Sequence, residues 1–357
     1  MENLVMELDR KFWLGKKVLI TGHTGFKGGW LSIMLKTLGA ELYGISLPSD
    51  DDNLLYNTAT SKIEYRKEIF CDVADSAIME HALTDIKPEI VFHLAAQPLV
   101  RESYHSPLNT FTTNTMGTLN VLEAGRKIDS LKAFIIITTD KVYRNDEEIW
   151  PLRENEQLGA ADPYSSSKAC AELICSSYYK SFFKKNNVGI STVRAGNVIG
   201  GGDWAKDRLI PDFLKSASSN ASFSVRMPNA VRPWQHVLEP LFGYITLAQN
   251  LFERPNLFSE AYNFGPDEGN TIRVSELLTI LGSEIPSAAW QYTKADLPEA
   301  MTLKLDSSRA KRKLSWYPKL NIIDAVKLTA KWHNEYSNGA DMLDITIGQV
   351  ENYLNDT

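Results

Sequence analysis

Apolar residues fall along this chain in short blocks that alternate between two spacings. Lys17-Val-Leu-Ile-Thr21 is a β-branched apolar run that stops at a glycine-rich turn, the pattern of a buried strand. Trp30, Leu31, Met34, Leu35 and Leu38 then recur at helical spacing, Gly39 closes the segment, and Glu41 to Leu47 reads as a second strand. The alternation continues with a helix over 78–83, a strand over 89–95, a helix over 115–126 and a strand over 133–138. A helix from about Ser165 to Phe182 leads to one more buried strand, Gly189 to Arg194. Strands alternating with helices predict an α/β fold built on a parallel sheet.

Past Arg194 the alternation breaks. Gly200-Gly-Gly-Asp-Trp204 and the Pro, Trp and Arg content of 228–234 predict loops that line a site. Ala261 to Gly265 reads as a strand returning to the first sheet, and 274–281 and 324–336 read as amphipathic helices. The predicted division is a cofactor-binding region of 1–197 with 233–265, and a smaller, mostly helical substrate region of 198–232 with 266–357. No internal repeat or low-complexity tract interrupts it.

The 357 residues, 43% of them hydrophobic and 23% charged, suffice for one large globular unit or two regions sharing an interface. A net charge of -6 argues against a nucleic-acid-coating surface, while leaving room for a small basic pocket around a phosphorylated ligand. No apolar stretch approaches the roughly 18 residues of a spanning helix, and the first residues carry charges where a secretion signal needs an apolar run, so a cytoplasmic location is expected. Cys71, Cys170 and Cys175 form neither a disulfide framework nor a paired Cys-x-x-Cys zinc site, so reduced thiols and no metal are expected.

The first strand runs into Thr21-Gly22-His23-Thr24-Gly25-Phe26-Lys27-Gly28, a G-x-x-G-x-x-G turn opening a helix. Glycine lets backbone approach a pyrophosphate, and the helix N-terminus offers aligned N–H groups, so the turn points to a dinucleotide and a Rossmann-like doubly wound sheet. Which dinucleotide is open. No carboxylate closes the second strand where an NAD ribose wants one; Asp50, Asp51 and Asp52 fall late, and Lys27 or His23 could attract a 2′-phosphate. Asp72 stands either as an acceptor for an adenine amino group or as a helix N-cap.

The strand at 133–138 delivers Thr139-Asp140-Lys141 to the C-terminal edge of the sheet, where open α/β sheets bind ligands. Downstream, Tyr164 and Lys168 lie four apart at the start of a helix and share one face. An ammonium so placed can lower the phenol's pKa while the phenolate takes a proton. The ordered set of glycine turn, hydroxyl residue at a strand end and Tyr-x-x-x-Lys is far more specific than any member.

Here the chain resembles the extended short-chain dehydrogenase/reductases that act on nucleotide sugars. TGHTGFKGGWLS (21–32), HLAAQPLVRESY (93–104), TTDKVY (138–143), RENEQLGAADPYSSSKACAEL (153–173), RAGNVIGGGDWAKDR (194–208) and RPWQHVLEPL (232–241) are similar, within that family, to the 4,6-dehydratase group acting on CDP-glucose. The resemblance implies NAD as cofactor and a homodimer or dimer of dimers. It implies that Tyr164, helped by Lys168 and Thr139, takes the C4 hydroxyl proton, and that Asp140 protonates the departing C6 hydroxyl. Sister enzymes on dTDP-glucose carry Glu as C5 base where this chain has Lys141, which acts as a base only if its pKa is lowered and otherwise stabilises the enolate.

The resemblance further implies cofactor contacts from Gly22, Thr24, Gly25, Phe26, Lys27, Gly28, Asp72, Val73, Ala95, Gln97 and Asn114, besides Tyr164 and Lys168. For the sugar nucleotide it points to Asn197, Arg208, Arg232, Trp234 and Glu299. Each has a plain alternative: structural salt bridges for the arginines, packing for Trp234, helix capping for Asn114 and Asp140. Pro298 stands where the family pattern has His before Glu299, which weakens that contact. Rival readings are a dehydratase on another nucleotide sugar, a nucleotide-sugar 4-epimerase, which has no need of an acid at Asp140, and a non-catalytic NAD-binding scaffold.

Overall fold

A computed structural model describes residues 8–51, 53–145, 150–219, 221–225, 227–285, 289–293 and 303–355. Seven strands form one sheet: β1 (Lys17–Thr21), β2 (Glu41–Ser46), β3 (Lys67–Phe70), β4 (Ile90–His93), β5 (Ala133–Ile137), β6 (Gly189–Ala195) and β7 (Tyr262–Phe264), in the order β7-β6-β5-β4-β1-β2-β3. Each neighbouring pair is parallel, with Lys17 opposite Glu41 and Val18 opposite Ile90. The chain therefore leaves β1 on one side and later resumes on the other beside it. The crevice at that reversal, beyond the strand C-termini, is where such sheets bind ligands.

Residues alternate between two cores, as a pleat buried on both faces requires. Val18, Ile20, Ile90, Phe92, Ala133, Ile135 and Ile137 pack into one core, and Leu19, Val91, Phe134 and Ile136 into the other. The first core takes Trp30, Leu31, Met34 and Leu35 of α1 (Phe26–Thr37); the second takes Met79, Ala82 and Leu83 of α2 (Ser76–Ile86) and Val121 and Leu122 of α3 (Gly117–Gly125). The expected helix over 115–126 is thus α3 preceded by a π-helical turn, Thr112–Met116. The later helix is α4 (Pro163–Tyr178), extended by a second π-turn, Tyr179–Phe183.

A third core lies apart from the sheet. Phe213 and Leu214 of α5 (Leu209–Ser218) meet Leu277, Leu278 and Leu281 of α7 (Val274–Glu284) and Ala325 and Val326 of α8 (Ile322–Ser337). Between them in the chain, α6 (Leu238–Glu253) is buried almost throughout and packs on the sheet, and α9 (Met342–Asn355) also joins the sheet's core through Met342, Val350 and Leu354. Val231–Pro233, expected as loop, pairs antiparallel with Thr271–Arg273, and Val198–Ile199 pairs with Gln235–His236. The second of these short ladders links residues on either side of Arg232. Among the described residues no helix is long and apolar enough to cross a membrane, and no cluster of His, Cys, Asp or Glu could hold a metal ion.

Candidate active site

The glycine turn is shaped by close backbone approach. Gly22 has φ +76°, and a Cβ there would lie 2.8 Å from Ala95 N at the end of β4; one on Gly28 would lie 2.1 Å from Gly22 O. Both positions admit only glycine. Gly25 is the N-cap of α1 and offers no side chain to the first-turn N–H groups, and a Cβ there would meet nothing nearer than Gly22 O at 3.4 Å. The cradle fits a pyrophosphate, whose oxygens satisfy helix N-terminal donors. Thr24 Oγ1 lies 2.6 Å from Ser46 Oγ, tying the turn to the end of β2, and Phe26 packs against the sheet's first core.

Of the two basic residues left open for a 2′-phosphate, His23 is engaged by Glu68. His23 is buried, its Nε2 2.9 Å from Glu68 Oε1 on β3, and burial pushes its pKa below the ordinary value. Lys27 acts on Arg208, Asp140, Lys141 and Asp203, the far side of the cleft, and burial followed by Arg208 brings its pKa down to about 8. Asp50 Oδ1 accepts from Asn53 Nδ2 at 3.0 Å in an exposed turn, while Asp52 lies outside the described residues. Asp72 is exposed and accepts from Ala74 N at 2.9 Å; Asp75, not Asp72, caps α2. The capping alternative for Asp72 is therefore corrected, because the cap position falls three residues later. Val73 is buried against Gly117, with its carbonyl accepting from Asn120 Nδ2 at 3.1 Å.

Helix α4 starts where its sequence dictates: Asp162 accepts from Ser165 N at 2.9 Å as N-cap, and Pro163 sits at the first helical position. This start sets Tyr164 and Lys168 on the buried face, 8% and 4% exposed, over the end of β5. Lys168 Nζ donates to Ile137 O at 3.0 Å, and burial, then Lys27, lower its pKa to about 8. Tyr164 lies beside Thr139; burial raises its pKa, and the Lys141 ammonium, then the Thr139 hydroxyl, act the other way. Lys141 and, after it, Arg208 draw the phenol down, while Lys168 gives its Nζ to the β5 carbonyl.

Thr139 Oγ1 donates to Asp140 Oδ1 at 3.0 Å and accepts from Lys141 N at 3.3 Å, capping a short 3₁₀ turn over Asp140–Val142. The cap is Thr139; Asp140, 3% exposed, opens the turn. Lys141 Nζ lies 3.4 Å from Asp140 Oδ1, and that carboxylate, outweighing burial, raises the lysine's pKa. Lys141, its side chain 39% exposed, is therefore not a lysine whose surroundings lower its pKa. Tyr164, Thr139, Asp140 and Lys141 form one chain of contacts at the sheet's C-terminal edge.

Asn114 is fully buried within the π-turn, with no helix-capping role. Its Oδ1 accepts from Gln97 N at 2.8 Å, and its Nδ2 donates to Gln97 O at 3.1 Å and Ser167 Oγ at 2.9 Å. The capping alternative fails because the chain is already helical before Asn114. Gln97 spans back to Thr110 Oγ1 at 2.9 Å. Unassigned from sequence, His93 bridges Thr21 Oγ1 (2.7 Å) and Thr118 Oγ1 (3.1 Å) beneath the glycine turn. Its signal was a lone histidine ending an apolar strand.

Arg208 Nη1 pairs with Asp203 Oδ2 at 3.0 Å and acts on Tyr164, so it faces the catalytic chain. Asp203, 5% exposed, carried no sequence signal beyond its glycine-rich loop. Arg232 lies near enough to act on Lys141. Trp234 is 7% exposed and belongs to the third core, so the packing alternative describes it; its Nε1 has no partner among the described residues. Asn197 lends its carbonyl to Gln235 N at 3.3 Å, beside the short Val198–Ile199 ladder. Glu299 lies outside the described residues. Lys27, Lys141, Lys168, Arg208 and Arg232 act on one another or on Asp140 and Asp203, a local excess of positive charge in an acidic protein that suits a polyanionic ligand.

Residues 19–329 match the family model described as GDP-mannose 4,6 dehydratase. A CDP-glucose 4,6-dehydratase of Salmonella typhimurium is 44% identical over 98% of this chain and 99% of its own length. A UDP-glucose 4-epimerase of Lactobacillus helveticus is 25% identical over 90% of this chain and 98% of its own. In structure, the Bacillus cereus UDP-glucuronic acid 4-epimerase, solved with UDP-glucuronic acid and NAD, superposes with a TM-score of 0.77 at 23% identity, covering 90% of this chain and 99% of that one.

Proposed function

We propose, from the premise that this chain belongs to the GDP-mannose 4,6 dehydratase family, that it is an NAD-dependent CDP-glucose 4,6-dehydratase, forming CDP-4-keto-6-deoxyglucose with loss of one water. The observation carrying this reading is the contact chain Tyr164, Thr139, Asp140, Lys141: a 4-epimerase needs the first two, whereas an acid beside the phenol serves an elimination. Near-full-length similarity to the Salmonella enzyme supports the base and sugar. NAD fits the glycine cradle, and His23, buried against Glu68, is not free to recognise a 2′-phosphate. When bound, the nicotinamide accepts hydride from C4 and returns it to C6, so the reaction is redox-neutral.

The chain's own residues move the protons. Tyr164 takes the C4 hydroxyl proton as the ketone forms, and Lys168 orients the cofactor's ribose. The ketone acidifies the C5 hydrogen, which leaves as a proton to solvent in the cleft; Lys141, held as an ammonium by Asp140, stabilises the enolate so formed. Asp140 donates a proton to the C6 hydroxyl, which leaves as water. Thr139 touches both Tyr164 and Asp140, so the proton gained at C4 has a path to the group that releases one at C6. Overall, the C4 hydroxyl proton leaves in the departing water and the proton that C5 gives up to solvent is replaced from solvent when hydride reaches C6, so the sugar loses one water and no net proton.

Gly22, Thr24, Gly25, Phe26, Lys27, Gly28, Asp72, Val73, Ala95, Gln97 and Asn114 frame the cofactor, and Arg208, Arg232 and Asn197 the nucleotide sugar. The sheet region (1–197, 233–265) holds the former and Asn197; the region of the third core (198–232, 266–357) supplies Arg208 and Arg232, with α9 packed back on the sheet. Exposed Tyr104, Leu108, Met116 and Leu173 lie on or beside helices that pack together, a face suited to a second copy in a homodimer. A cytoplasmic site of action accords with a nucleotide-sugar substrate.

The test is mass spectrometry after separate incubation of CDP-glucose, dTDP-glucose, UDP-glucose and GDP-mannose with the purified protein and NAD. Loss of one water from CDP-glucose alone is expected. Loss from another sugar nucleotide keeps the reaction and overturns the specificity; unchanged mass with epimerised sugar, or no change at all, overturns the dehydratase.

A further inference from the structure

Helix α4 meets the end of β5 at three consecutive strand-end residues. Tyr164 contacts Thr139, Lys168 Nζ donates to Ile137 O at 3.0 Å, and Glu172, four residues further along the same helix face, accepts from Thr138 Oγ1 at 2.5 Å. The first two contacts belong to the catalytic machinery. The third has no chemistry of its own to perform. Glu172 is 5% exposed, and its two oxygens accept four hydrogen bonds: from Thr138, from Thr192 Oγ1 at 2.6 Å, and from Arg194 Nε and Nη2 at 2.8 Å each. Every acceptor site of the carboxylate is used.

Arg194 is itself immobilised. It donates from Nη1 to Tyr143 Oη at 2.7 Å and to Glu154 O at 3.2 Å, and Tyr143 donates to Asn263 Oδ1 at 2.7 Å on β7. The bidentate guanidinium–carboxylate geometry fixes orientation as well as charge. The cluster thus ties α4 to β5, β6 and β7 at one height along the strands, one helical turn from Lys168 and two from Tyr164.

We propose that Glu172 is a positioning residue for proton transfer: through Thr138 it holds α4 in the register at which the Tyr164 hydroxyl meets Thr139, and Arg194 keeps its carboxylate fixed there. This rests on the dehydratase reading above. A small misplacement of a reacting group lowers rate far more than it lowers affinity. Loss of the Thr138 link therefore falls on kcat and spares KM.

Glu172→Gln leaves a buried guanidinium without its counter-charge and threatens folding. Thr138→Val removes the strand-end link and the 3.2 Å contact of the same hydroxyl to Val193 O, whose bond from Thr138 N stays, and keeps the other three bonds to Glu172; Thr138→Ser retains the hydroxyl. In Thr138→Val, kcat is expected to fall at least about tenfold with KM changed less than about twofold, and the isotope effect with C4-deuterated substrate to grow. Thr138→Ser restores both. Without substrate, Tyr164 ionisation, read as the absorbance difference between each protein and its Tyr164→Phe counterpart, moves up by about half a pH unit or more in Thr138→Val as the Thr139 contact loosens, with Lys141, Asp140 and Arg208 still facing the phenol. Wild-type kcat, isotope effect and phenol titration in a folded Thr138→Val overturn the positioning role. A wild-type protein inert toward all four sugar nucleotides overturns the dehydratase reading and, if the phenol titration is also unmoved in Thr138→Val, this inference too.

Discussion

Lys141 Nζ and Asp140 Oδ1 lie 3.4 Å apart at the edge of the sheet, with the carboxylate buried and the lysine's pKa raised by it. A lysine so held is charged at neutral pH and works best as a cation facing developing enolate charge. Lys141→Met is expected to slow turnover by about 100-fold, with C5–H exchange with solvent, followed by deuterium uptake, suppressed more than C4 oxidation. A variant that exchanges C5–H at the wild-type rate removes Lys141 from this role.

Asp140→Asn keeps the shape of the turn and its contact to Thr139 but cannot release a proton. Oxidation at C4 is expected to persist while water loss slows by about 100-fold or more. Rapid-quench mass spectrometry, together with absorbance of reduced nicotinamide, separates the two steps; equal slowing of both would place Asp140 in the oxidation instead.

Tyr164→Phe removes the proton acceptor without opening a cavity. Turnover is expected to drop by about 1000-fold, while binding of the nucleotide sugar, measured by calorimetry, changes by no more than a few-fold. A variant retaining a tenth of wild-type turnover would show another group taking the C4 proton.

Lys168 has a folded-state pKa of about 8 against an ordinary value of 10.5. Between those values the unfolded chain binds more protons than the folded one, so stability rises with pH across that window, and below it the buried ammonium is a full burden. In cofactor-free protein, Lys168→Met is expected to be more stable than wild type at pH 7 by on the order of 2 kcal/mol, allowing for its lost bond to Ile137. The difference shrinks toward zero by pH 10. Denaturant titrations at the two pH values check it, and a pH-independent difference contradicts the burial account.

The glycines of the turn differ in consequence. Gly28→Ala drives a Cβ to 2.1 Å from Gly22 O, whereas Gly25→Ala meets that same oxygen at 3.4 Å. The first is expected to destabilise by about 2 kcal/mol or more and the second to leave the thermal midpoint within a few degrees of wild type. Calorimetry of both decides; equal losses would mean the turn relaxes.

Much of the fold was legible because it is written locally. Six of the seven sheet strands show as apolar runs bounded by turn residues, and Tyr164 and Lys168 share a helix face by spacing alone. β3 is a half-exposed edge strand with only the Ile69-Phe70 pair to mark it, and α6 escaped notice because it is buried nearly all round and has no polar stripe to reveal a period.

The sequence by itself determined the alternating sheet, the glycine-only backbone at Gly22 and Gly28, and the order in which Thr139, Tyr164 and Lys168 reach the sheet edge, since each follows from backbone sterics or from a period within one element. Only the tertiary structure decided that His23 turns inward to Glu68, that Trp234 packs in a core, that Lys141 and Arg208 act on the phenol, and that Glu172 is locked by Arg194. Those outcomes depend on which charges and hydroxyls from distant strands come within hydrogen-bond reach, and on how much water burial removes from them, quantities that no spacing along the chain contains.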